Sequence, residues 1–132
     1  MKKKPTVRSL KKKLWTTFSL YIRMRNANYN GYVMCVTCGI KKHYKQMQAG
    51  HFLPGRRNSV LFDPRNCHSQ CYACNCMKYG NTVKYFRYMQ DRYGDNVIKD
   101  LEKKDTISKQ FDVEELEDMI DYYKEKLKCL QI

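Results

Sequence analysis

Two C-x-x-C pairs, Cys35-Val36-Thr37-Cys38 and Cys71-Tyr72-Ala73-Cys74, constrain this chain more than any other feature. A pair at this spacing turns the backbone so that two thiolates face one ion. Two such pairs complete a tetrahedron for a structural zinc. Thirty-two residues separate the pairs, so the ion pins both ends of an inserted unit. That unit holds Gly50-His51, Asp63, Asn66 and His68, and Asn75 directly follows the last thiolate. Cys67, Cys76 and Cys129 stand outside the pairs, and Cys67 or Cys76 could replace one of the four ligands. A disulfide framework requires an oxidising compartment. The one apolar run near the start, Leu14–Ile22, is broken by Thr and Ser, and no small-residue cleavage site follows it. No stretch is long enough to span a membrane. The expectation is a reduced, cytosolic protein whose cysteines hold zinc.

A chain of 132 residues makes one domain with one modest core. A zinc site of this kind reinforces such a core by roughly 10–16 kcal/mol. The net charge of +13 is unevenly spread. Residues 1–90 carry 18 Lys or Arg and a single acid, Asp63, whereas residues 91–132 carry 8 bases and 12 acids. Runs such as Lys2–Lys4 are common in solvated tails. Ninety residues with one acid point instead to a polyanionic partner, of which nucleic acid is the obvious one.

The pattern predicts an α+β fold, mostly helical, around the zinc-clamped unit. Residues 1–8 read as a basic arm and 9–30 as the N-terminal helical segment, with Ser9 as N-cap and the helix running to about Arg25. Leu10, Leu14, Phe18 and Tyr21 form its apolar stripe. Residues 31–81 form the clamped core. Short strands are expected at Tyr32–Met34, over 41–48 and at Val60–Phe62, then a helix from an Asn66 cap through about Tyr79. Residues 82–132 read as C-terminal helices, one capped by Asn81, one short helix after Asp95, and a last one opening on Asp112-x-x-Glu115. In that last helix Val113, Leu116, Ile120, Tyr123, Leu127 and Leu130 step by three and four, a seam at coiled-coil spacing. The seam either covers the domain's own core or joins two copies in a homodimer.

Phosphodiester hydrolysis needs an activated water and neutralised charge on the phosphate. Neutral imidazole accepts a proton from water near pH 7, and a hard cation polarises the phosphate. His51 is the candidate base and Asn75 the candidate oxygen ligand for magnesium or manganese, which would otherwise hold mostly water. On a regular helix from Asn66, His68 and Asn75 would share a face two turns apart, making His68 a second candidate ligand or a structural residue. Asn66 would fix the loop that carries His51. Lys41, Lys42, Arg56 and Arg57 are the candidate DNA contacts.

The set Cys35-x-x-Cys38, Gly50-His51, Asn66 and Cys71-x-x-Cys74-Asn75 resembles the zinc-containing HNH, or His-Me finger, nucleases. That resemblance implies a ββα-metal core with His51 as base, Asn66 as the loop-tightening residue and Asn75 as ligand of the catalytic cation. A wider set resembles the NinG/Rap recombination proteins of lambdoid phages. It comprises Phe18-Ser-Leu-Tyr-Ile-Arg23, Asn30-Gly-Tyr-Val33, Met47-Gln-Ala-Gly-His-Phe52, Phe62-Asp-Pro-x-Asn66, His68-x-Gln-Cys71, Gly80-Asn81 and Tyr93-Gly94. It implies cutting of branched DNA, such as Holliday junctions and D-loops, in the cytoplasm of a bacterial host. One departure stands out. Many HNH enzymes place Asp before the base His, and here that position is Gly50. A zinc-stabilised DNA-binding recombination accessory with little cleavage is therefore the rival reading.

Overall fold

The computed structural model describes residues 3–130. Helix α1 spans Val7–Met24. Its cap is Thr6, not Ser9. The Ser9 amide donates to the Thr6 hydroxyl at 3.1 Å, and the Thr6 amide donates back to the Ser9 hydroxyl at 3.1 Å. Ser9 thus fills the third helical position of a capping box, and the helix absorbs the end of the expected basic arm. Met1 and Lys2 of that arm lie outside the described residues.

Strands β1 (Tyr32–Met34) and β2 (Lys41–His43) pair antiparallel, with Val33 opposite Lys42. The first cysteine pair sits in their connection, where Gly39 at φ +82° donates its amide to the Cys35 carbonyl. The long strand expected over 41–48 is interrupted by a 3-10 turn, Tyr44–Gln46, because the His43 ring accepts the Lys45 amide. Strand β3 (Gln48–His51) follows and pairs antiparallel with β4 (Cys67–Gln70), with Gly50 opposite His68 and His51 opposite Cys67.

Two expectations fail between and after these strands. Val60–Phe62 is not a strand; α2 (Asn58–Leu61) is a single helical turn that sinks Val60 and Leu61. No helix starts at Asn66 either. Its side chain is spent on the preceding loop, and the next four residues are β4, all buried. The chain then winds into a π-helical turn, Ala73–Met77, that carries Cys74 and Asn75. His68 and Asn75 therefore lie on different elements.

Helices α3 (Thr82–Tyr93), α4 (Asp95–Asp105) and α5 (Val113–Leu130) complete the chain. Asn81 precedes α3 in a left-handed conformation, but its amide reaches the Cys74 sulfur rather than capping the helix. Asp112 accepts the Glu115 amide at 2.7 Å, as its sequence position suggested. Glu115 instead pairs with Lys109.

Three apolar clusters follow. In the first, Leu10, Leu14, Phe18 and Ile22 of α1 meet Leu116, Ile120 and Tyr123 of α5. Phe18 stands edge-on between Phe62 and Tyr123, at 5.6 and 5.0 Å. Ile22, not Tyr21, completes the buried stripe. The α5 seam is thus covered by the chain's own α1, and Leu116, Ile120 and Tyr123 are not exposed for a second copy. A second cluster, Val33, Cys35, Met47, Cys71 and Cys74, surrounds the cysteines. A third joins Val60 to Tyr85, Met89, Ile98 and Leu101. Asp63, the single acid of the first 90 residues, is buried under Arg65 at 2.9 Å and Lys104 at 2.8 Å, which ties α4 to the loop before β4.

Candidate functional site: a cysteine clamp around His51

Cys35, Cys38, Cys71 and Cys74 converge, with all four sulfurs within 4.8 Å of one another. The Cys38 and Cys71 sulfurs are 3.7 Å apart, close to the edge of about 3.8 Å that a tetrahedron with 2.3 Å arms requires. Cys67 points elsewhere, buried in the α1 cluster. Burial pushes the Cys35 thiol up, but hydrogen bonds from the Thr37 hydroxyl and from backbone amides outweigh it and bring the thiol down to about 6. Burial pushes Cys38 up, to about 12. One divalent ion removes that conflict by binding thiolates. The donor set fits zinc.

His51 is the last residue of β3. Its ring stacks on Trp15 of α1, with centroids 5.2 Å apart and planes at 23°. Nε2 lies 3.0 Å from the Leu61 carbonyl. A carbonyl only accepts, so Nε2 carries the hydrogen and Nδ1 keeps its lone pair. Burial, aided by the Arg56 charge and only partly opposed by the Leu61 carbonyl, lowers the imidazole pKa. His51 is therefore neutral at pH 7, with one nitrogen able to take a proton.

Asn66 is wholly buried. It accepts the Leu53 amide at 2.9 Å and donates to the Val60 carbonyl at 3.3 Å, while its own carbonyl accepts the Phe52 amide. These bonds close the loop between β3 and β4 immediately after His51.

His68 is buried and fully engaged. The Tyr85 hydroxyl donates to the Gly50 carbonyl at 2.6 Å, so His68 Nδ1, 3.0 Å away, must donate to that hydroxyl oxygen. Nε2 is left to accept from Tyr93 at 2.8 Å. Neither nitrogen has a lone pair free for a cation, which overturns the expectation that His68 is a ligand. It works instead as the middle of a neutral Tyr93–His68–Tyr85–Gly50 chain that anchors β3. Burial, with Arg25 and Arg92 nearby, pushes its pKa down to about 3. The unfolded value is near 6.5, so the unfolded chain binds the extra proton. The stability this residue supports is complete above pH 6.5 and is lost as pH falls from there towards 3. Between pH 7 and pH 5 the loss should be about 2 kcal/mol. Urea midpoints of wild type and His68→Gln at the two pH values check this, because the variant should lack that share of the pH dependence.

Asn75 reaches β3 from the π-helical turn. Its Nδ2 donates to Gln48 Oε1 at 2.6 Å, which leaves Oδ1 facing Gly50, 3.0 Å from where a Cβ there would sit. Successive strand residues face opposite ways. Gly50 looks toward Asn75, whereas Ala49 and His51 look toward α1. Asn75 and His51 thus flank the end of β3 from opposite faces.

Gly50 has no room for a side chain. A Cβ would overlap the amide of Gln70. That amide cannot turn away, because its nitrogen donates to the Gly80 carbonyl and the Thr37 hydroxyl. Gln70 therefore takes the space that an Asp before His51 would need. Gly50→Ala should destabilise the domain by about 1–3 kcal/mol through overpacking, measurable as a lowered denaturation midpoint. With no carboxylate there and His68 engaged, the side-chain oxygens facing Gly50 are Asn75 Oδ1 and Gln70 Oε1, the latter buried without a hydrogen-bond partner. So few oxygens suit an ion keeping mostly water, such as magnesium.

Arg56 projects from a left-handed backbone (φ +52°) and lies over the Trp15 ring at 4.7 Å. Arg57 turns to the end of α4, bonding the Asp105 carbonyl at 3.3 Å. Lys41 and Lys42 lie on β2, in the other sheet. The spacing of residues did not reveal Trp15, Tyr85, Tyr93 or Gln70, since each acts through a contact distant in sequence. The signals available were the lysine run Lys11–Lys13 just before Trp15 and the motifs His68-x-Gln-Cys71 and Tyr93-Gly94 that contain Gln70 and Tyr93.

All 132 residues match the family model described as Bacteriophage Lambda NinG protein. The chain is 33% identical to "Protein ninG" of Escherichia phage 933W over 98 residues, 74% of this chain and 48% of that protein. It is 33% identical to the protein of that name in Salmonella phage P22 and 31% identical to that in Escherichia phage lambda, each over 98 residues, 74% of this chain and 47% of the relative. The chain thus spans about half the length of the curated relatives it matches. No solved structure matches it. A four-cysteine centre within a small α+β domain, together with a family match along its whole length, places this chain in the NinG family of bacteriophage proteins.

Proposed function

We propose that this protein is an endonuclease for branched DNA that hydrolyses phosphodiesters in the cytoplasm of the bacterial host. The observation that carries the reading is His51, a neutral imidazole with Nδ1 unengaged, held by Trp15, Leu61 and the Asn66 loop at one end of the clamped unit. The order of β3, β4 and a helical turn bearing Asn75 supports a ββα-metal arrangement. Branched DNA is the substrate class that the likeness to recombination proteins implies.

In this reading His51 Nδ1 takes a proton from water as the water oxygen bonds to phosphorus. The bond from phosphorus to one sugar oxygen breaks, and that oxygen leaves with a proton from solvent. Trp15 and the Leu61 carbonyl keep the ring oriented throughout. Magnesium or manganese, held by Asn75 and by the DNA phosphate, would supply charge neutralisation. Zinc in the four-cysteine centre would be structural.

The missing carboxylate before His51, and the approach of Asn75 from the other strand face, favour the rival reading of a DNA-binding accessory with little cleavage. Incubating the protein with linear, forked and four-way DNA plus magnesium or manganese, on a denaturing gel, separates the two. Nicks near the branch support the nuclease; binding without any nick replaces it with the accessory role.

A further inference from the structure

We infer that the groove between the first half of α1 and the Gly55-Arg56 turn is the track for the DNA phosphate backbone leading to His51. It is an open groove of about 1000 Å³, lined by Arg8, Lys11, Lys12, Lys13, Trp15 and Arg56 among others, with no acidic side chain among the described residues of its walls. Arg8, Lys12 and Lys13 are exposed. Arg8, Lys12 and Thr16 recur every four residues, so they repeat about every 6 Å along one helix face. Lys11 is fixed rather than free, since its ammonium donates to Asn58 at 2.8 Å and lies 5.9 Å from the Phe111 ring centre. The first turn of α1 contains no acid to cancel this charge.

The inner end of the groove is what ties it to chemistry. There both Arg56 and His51 lie against Trp15, the guanidinium 4.7 Å from the indole ring centre and the imidazole 5.2 Å from it. A phosphate held by Arg56 would lie at the mouth of the site. This groove differs from the β2 lysines in having a concave wall and, through Trp15, a link to His51. DNA as occupant rests on the nuclease reading above, and the test keeps the two separable.

Trp15 is the sole tryptophan of the chain, so its fluorescence reports on the groove alone. The 132-residue, zinc-loaded His51→Ala protein would be titrated with four-way and linear DNA without magnesium, reading Trp15 emission and DNA anisotropy across salt concentrations. DNA should change Trp15 emission in step with anisotropy. Arg8→Gln/Lys12→Gln/Lys13→Gln should make the log–log salt slope shallower by about 2–3, at about 0.9 per lost phosphate contact. The control Lys41→Gln/Lys42→Gln should change it less. Circular dichroism and zinc content verify that the variants fold. Unchanged Trp15 emission on DNA that anisotropy shows bound overturns the proposal, as does an equal slope change per removed charge in the two sets of variants. Tighter binding of single-stranded RNA or phosphatidylglycerol vesicles, with the same Trp15 response, overturns DNA as the occupant. Cleavage by wild type with unaltered binding of the groove variants would sink the groove and leave the nuclease. DNA tracking in the groove without any cleavage would do the reverse.

Discussion

His51→Ala should lower the rate of branched-DNA cleavage by roughly 10²–10⁴-fold and leave junction binding almost unchanged. The imidazole handles a proton of water, and the positive charge that holds DNA comes from Arg and Lys side chains. Single-turnover cleavage on a denaturing gel, with binding by gel shift, reads both quantities. Because burial lowers the His51 pKa, the wild-type rate should hold on the acid side of the ordinary imidazole range before it falls. Asn75→Ala should also slow cutting, but through its one oxygen toward a cation, so added manganese should restore part of the rate. Wild-type cleavage by His51→Ala would remove the nuclease assignment and leave the DNA-binding accessory in its place.

Cys71→Ser should leave the protein zinc-free and unfolded. A zinc centre of this type contributes roughly 10–16 kcal/mol, as much as the whole stability of a typical domain, about 5–15 kcal/mol. The local core offers little to replace it, because beside the cysteines only Val33 and Met47 are buried in that cluster. Elemental analysis should find one zinc per wild-type chain and none in the variant, with loss of the far-ultraviolet helical signal. A folded variant without metal would show that the clamp is dispensable.

The parts of the fold legible in sequence are those with a local period or a fixed spacing. The α1 stripe, the α5 seam and the cysteine pairs are of this kind. The region 58–79 was not legible because its signals are ambiguous. Asn66 suits a helix cap and a loop staple equally, and tertiary bonds to Leu53 and Val60 decide for the staple. Cys67–Gln70 is buried on both faces, so it shows no alternation to mark a strand. The π-helical turn at Ala73–Met77 places Cys74 and Asn75 for their distant partners rather than following any helical pattern of its own. At the candidate site, the convergence of the two cysteine pairs was readable from their spacing. The role of His68 was not, since Tyr85 and Tyr93 lie 17 and 25 residues further on.

The pairing of α1 with α5 has a consequence for how the protein is made. Leu10, Leu14, Phe18 and Ile22 leave the ribosome early, and their cover at Leu116, Ile120 and Tyr123 comes almost a hundred residues later. At translation rates of about 5–20 residues per second, the greasy face of α1 waits about 5–20 s for its partner. Trp15 rides on that same helix. The surface on which His51 stacks is therefore set in place only once α5 has been synthesised.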